Sequence, residues 1–241
     1  MLDFIPDHLR LFVVIGGLLL LLLLAGSLAQ KYEQYTAAKR LAVQRLMVGI
    51  QQIEEAIDKT RGGGLPPGIG KLLRNELLAR YITVRQVFPR QPQISQQVMQ
   101  AQERARSESE GVASVNVAAL SSLDAFNRYI IGLNEIYGLL AGPALGRRLP
   151  ETDRTAHQLK LIEFQITAAS RFYTKMALDH AQKGEWPAAA RAARSLDSFL
   201  MTRPRSTSLA SQLKNESREL VAAMSDQRLP GEQPADQQQD A

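Results

Sequence analysis

The residues able to do chemistry are few in this chain. Cysteine is absent, which removes thiolate catalysis, thiolate metal sites and a disulfide framework together. Three histidines remain, His8, His157 and His180. Asp153 and His157 stand four apart, a spacing that puts carboxylate and imidazole on one face of a helix. Such a pair could act as a general base or contribute two metal ligands. No second His follows at a ligand spacing, and no Glu-x-x-His occurs to suggest a di-iron bundle. A solvated pair near a helix start is the simpler account. His180 continues the apolar stripe of its segment and reads as a satisfied core histidine.

The stretch Gly64-Leu65-Pro66-Pro67-Gly68-Ile69-Gly70-Lys71-Leu72 has the outline of a phosphate-binding loop. That loop needs Gly, four residues, Gly, Lys and then a hydroxyl residue, between a strand and a helix. Here Leu65 occupies the first position and Leu72 the hydroxyl position. The Pro-Pro pair also removes amide donors that would cradle phosphate. Nucleotide binding is therefore not expected. The acids Glu54, Glu55 and Asp58 read as a solvated face, and Asn127 and Asn134 fall on or beside an apolar face. Those asparagines would either set register or bond to a neighbouring loop.

With no catalytic, cofactor or metal set in view, the elements themselves become the informative part. Of 241 residues, 45% are hydrophobic and 22% charged, values of a folded chain. The net charge of +5 suits attraction to anionic headgroups. Nucleic acid is not an expected partner, since only 6% of residues are aromatic and no dense basic face stands out.

Leu11 to Ala29 contains no charge, and nine of its nineteen residues are Leu. At about 1.5 Å per residue it would reach roughly 28 Å as a helix, against a hydrocarbon thickness near 30 Å. Ser27-Leu28-Ala29 could be a signal-peptide cleavage site, but Asp3 and Asp7 accompany a lone Arg10 where a basic leader is required. A retained transmembrane helix is expected. Lys31, Lys39, Arg40 and Arg45 follow it, which places the carboxy-terminal body in the cytoplasm and residues 1–10 outside.

Residues 30–60 continue as a juxtamembrane helix whose seam is Val43, Leu46, Ile50, Ile53 and Ile57. This seam either packs on its own domain or forms a coiled-coil homodimer. A Gly/Pro loop at 61–70 ends the helix. Residues 71–225 form an all-α domain, with helices over 71–88, 93–110, about 117–141, 152–183, 187–201 and beyond Pro204. The expected core stripes include Leu123, Phe126, Ile130, Leu133 and Tyr137, then Leu159, Ile162, Ile166, Ala169, Tyr173 and Met176. Residues 226–241 are an acidic tail too polar to order.

Tyr173, Met176, Ala177, Gly184, Trp186, Ala189 and Leu196 together resemble one tetratricopeptide-type helical hairpin. The resemblance lies in the Gly-x-aromatic turn and in Ala189 at the small packing position. It departs at Ala193 and His180, covers about thirty residues, and has no second copy at a period near 34. It implies a helical surface holding a partner segment; Trp186 is otherwise ordinary core.

These features predict an all-α, single-pass protein of the bacterial inner membrane. It would be a non-catalytic helical scaffold or adaptor that recruits a protein partner to the bilayer, with Val43, Leu46, Ile50, Ile53, Ile57 and Trp186 as interaction residues. A periplasm-facing helical protein of envelope or polysaccharide assembly, or a ligand-binding helical sensor backed by Asp153, His157 and His180, are the alternatives.

Overall fold

The computed structural model describes residues 7–89, 92–106, 114–146, 148–203 and 207–230, with side chains from Gly16 onward apart from residues 143 and 144. Among the described residues every regular element is helical and no strand occurs. The elements are α1 (Asp7–Thr60), α2 (Ile69–Val87), α3 (Pro92–Arg106), a 3-10 turn at Val117–Ala119, α4 (Leu123–Ala141), the short α5 (Pro143–Gly146), α6 (Glu151–Gln182), α7 (Trp186–Met201) and α8 (Ser208–Ser225). The all-α expectation holds.

The helices pack as a series of neighbours. α1 lies against α2 and α4, α2 against α3, α4 against α6, and α6, α7 and α8 against one another. Stacking of Phe126 on Phe172 and the Asn134–Gln165 hydrogen bond fix α4 and α6 as antiparallel. Lys59–Glu135 and Tyr129–Gly64 do the same for α1 and α4. Ile53, Leu73, Leu133, Ile136, Leu161 and Ile166 are among the fully buried side chains of one continuous core. Each is worth about 1.5–3 kcal/mol of transfer free energy.

Alanines let the last three helices approach closely. Ala177 and Ala181 of α6 and Ala189, Ala190, Ala192 and Ala193 of α7 are all buried. Gly184, at φ 74°, provides the left-handed residue that turns α6 into α7, and Pro187 occupies the first turn of α7 as its fixed φ allows.

Several expected boundaries and faces shift. The helix expected from about 117 begins at Leu123, because Ser122 is extended and its side chain accepts a 3.1 Å bond from the Ala125 amide. An N-cap of that kind outcompetes extension into the weaker turn before it. On α4, Leu123 and Tyr137 face solvent, while Tyr129 and Ile136 take the fully buried positions. On α6 the deepest line runs through Leu161, Gln165, Ala168 and Phe172, and Leu159 and Ile162 are half-buried. This helix is covered by α4 on one side and by α7 and α8 on another, so a single apolar stripe underestimates what it buries.

The amino-terminal part of α1 stands apart from this core. None of residues 16–42 is buried, and Val43 is the first to pack against the body. Leu18 through Leu24 are 51–74% exposed. Among the described residues no helix is long and apolar enough to cross a membrane. The side chains of Leu11 to Ile15, which open the apolar run, lie outside the described residues, as do residues 1–6 and the tail from 231.

Candidate functional site

The heptad seam divides along its length. Ile50 and Ile53 are buried in the core that α1 shares with α2 and α4, while Val43, Leu46 and Ile57 are half-buried at its margin. Trp186, the first residue of α7, is half-buried against the same core. Residues 61–70 do not form an open phosphate cradle. The Gly64 amide donates to Thr60, that of Ile69 to Pro66 and that of Leu72 to Gly68, while the Gly64 carbonyl accepts from the Tyr129 hydroxyl at 3.1 Å. Burial pushes the Tyr129 hydroxyl pKa well up, so it stays a donor.

His157 and His180 do not converge, and the side chain of His8 lies outside the described residues. His157, near the start of α6, has its imidazole beside Gly68, and its Nδ1 is buried with no hydrogen-bond partner. Burial lowers its pKa, Lys160 lowers it further, and Asp153 opposes both. Asp153 itself is exposed. His180 is not a core residue: it sits at the α6–α7 turn with Nδ1 2.6 Å from Glu185 Oε2. The reason is Gly184, which reverses the chain and brings Glu185 over the end of α6. Among the described residues no three His, Asp or Glu side chains are grouped to hold a metal ion.

The structure instead gathers charge where hydrophobic spacing gave no signal. Glu76 and Arg80 are both buried on α2. Glu76 accepts from Arg80 Nε at 2.8 Å and from Arg148 at 2.9 Å, and the Arg80 guanidinium lies against Gly49 of α1. This network ties α2, α1 and the α5–α6 loop. Next to Arg80 on α2, the Tyr81 hydroxyl donates to Glu54 at 3.0 Å. Burial and the Glu54 carboxylate push that phenol up to about 12. Glu54, read as a solvated acid, is therefore half-buried and bonded.

A third polar group lies between α4, α6 and the end of α7. The Asn134 side-chain oxygen accepts from Gln165 Nε2 at 3.0 Å and from Arg203 at 3.5 Å. Gln165 is 1% exposed, and its own side-chain oxygen is buried without a partner. The Arg203 guanidinium lies 4.9 Å from the Phe199 ring, which meets Phe126, itself in contact with Phe172 and Tyr173. Asn127, by contrast, is exposed.

Between α1 and α4 runs a groove of about 340 Å³, lined by Gln52, Glu55, Glu135, Gly138, Leu139 and Gly142. Lys59 bridges its two acids, 2.6 Å from Glu135 and 2.9 Å from Glu55. Those bonds, Glu135 first, hold the ammonium pKa above its ordinary value.

No protein-family model, no curated protein and no solved structure matches this chain. The described residues form a helical bundle with buried polar ties, a half-buried arginine and a long exposed apolar helix end.

Proposed function

We propose that this protein is a membrane-tethered helical adaptor that holds a polypeptide partner at the bilayer and catalyses no reaction of its own. The observation that carries this reading is the run Leu18–Leu24, exposed on a helix that continues without a break into the packed body. Contiguous exposed leucines are a patch that a folded chain keeps only where lipid or another protein covers it. The sequence extends the same run back to Leu11, giving nineteen uncharged residues.

Tyr32 and Tyr35 follow the run and are exposed, as aromatic residues at a headgroup layer would be. Lys31, Arg40 and Arg45 are also exposed and Lys39 is half-buried; this cationic flank favours a cytoplasmic body in a bacterial inner membrane.

Alkaline carbonate extraction and vesicle flotation test the tether. The protein is expected in the membrane fraction after extraction, and full release into the supernatant would refute it. A carboxy-terminal reporter active only on the far side of the membrane would reverse the orientation and favour the periplasmic alternative. Crosslinking in mild detergent should recover a second polypeptide.

A further inference from the structure

We propose that Arg203 anchors a docking surface for an acidic segment of the partner polypeptide, a carboxylate side chain flanked by apolar residues. This rests on the adaptor reading and names the chemistry of what is held.

Arg203 follows the last residues of α7 and is half-buried. Among the described residues its Nε is buried with no hydrogen-bond partner, and its one bond, to Asn134, is a long 3.5 Å. No carboxylate pairs with it among the described residues, in contrast to Arg80, Arg154 and Arg228, which meet Glu76, Glu151 and Asp226. Burial lowers its pKa, with no charged neighbour opposing the shift. Stacking on Phe199 and the partial negative charge at the carbonyl end of α7 recover part of the desolvation cost. Neither uses the planar fork of the guanidinium, which matches a carboxylate with two parallel bonds.

The surroundings favour a carboxylate carried by a polypeptide. Among the described residues the group bonded to the guanidinium is the neutral amide of Asn134, itself held by the neutral amide of Gln165, so a single cation there is balanced by one negative charge. Gln165 holds the Asn134 oxygen from inside, which leaves the exposed Asn134 amide nitrogen as a second donor toward the carboxylate. Ile131, one turn before Asn134, is 49% exposed, and Met201 is exposed two residues before Arg203. An arginine on an aromatic base beside exposed aliphatics has the composition of an interface hot spot.

The test places a photo-crosslinking amino acid at Ile131 in the full chain in cells, with a second probe at Val48 on α1, and identifies adducts by mass spectrometry. The expected result is a polypeptide adduct at Ile131 whose crosslinked peptide contains Asp or Glu. Arg203→Gln should lower its yield about thirtyfold or more, the loss expected on removing one member of a desolvated charge pair. Arg203→Glu combined with Arg in place of the partner's acid should restore it.

Asn134→Asp guards against a folding artefact. It supplies an internal carboxylate to Arg203, so it should raise the melting temperature while abolishing the adduct. An undiminished adduct in Asn134→Asp, a crosslinked peptide without an acid, or a lipid adduct would overturn the proposal. Adducts at Val48 alone would overturn this surface and leave the adaptor reading standing; none at either position would sink both.

Discussion

Gly132 of α4 lies so close to Thr60 of α1 that a methyl group on it would stand 2.8 Å from the Thr60 methyl carbon and 3.2 Å from the Ala56 carbonyl oxygen. Backbone is one of the obstacles, so the helices would have to separate. Gly132→Ala should lower stability by about 1–3 kcal/mol, although Ala is favoured over Gly within a helix by up to about 1 kcal/mol. Denaturant unfolding in detergent measures this. An unchanged or raised midpoint would show that the α1–α4 contact is looser than described.

Glu76 and Arg148 share one ion pair but differ in exposure, at 7% and 64% of their side chains. Glu76→Ala strands the buried Arg80 cation and should cost about 3–5 kcal/mol. Arg148→Ala removes an exposed partner and should cost at most about 1 kcal/mol. Equal losses from the two substitutions would contradict the buried network.

His157 makes the fold sensitive to mild acid. Its folded pKa is below the ordinary 6.5, because of burial and then Lys160. The unfolded imidazole therefore takes up its proton first as the pH falls. This contribution to stability is complete above pH 6.5 and is lost from there down to the folded pKa. Thermal melts from pH 7.5 to 5 should fall more steeply for the natural chain than for His157→Gln. Parallel profiles would remove His157 from the account.

Residues 16–42 contribute no buried side chain, so the bundle should not depend on them. A chain beginning at Thr36 should unfold cooperatively, within about 1 kcal/mol of the full chain, and remain in solution without detergent. Loss of a cooperative transition would mean that the exposed part of α1 supports the core.

Much of the architecture was legible in the sequence because apolar spacing and Gly/Pro breaks are local signals. The Gly62–Pro67 break, the stripe of α2 through Leu73, Leu77, Tyr81 and Val84, and the Gly184 turn stand where spacing puts them. The failures come from tertiary context. Glu76, Arg80 and Gln165 are buried because partners on other helices satisfy them, and nothing in their own neighbourhood announces that. Arg203 escaped notice for the opposite reason, since the signal is a missing carboxylate and only the fold shows what surrounds it. The predicted interaction seam was visible as spacing, yet spacing alone does not tell that Ile50 and Ile53 face their own bundle.

The uninterrupted α1 has a mechanical meaning as well. Its residues 7–42 span about 54 Å outside the body and residues 43–60 about 27 Å along it, at 1.5 Å per residue. That is a lever with arms near two to one. A tilt that moves the leucine end by 2 Å displaces the Lys59 end by about 1 Å, where Lys59 grips Glu135 of α4. Torque applied at one end of the molecule thus arrives at Glu135 on α4, the residue next to Asn134.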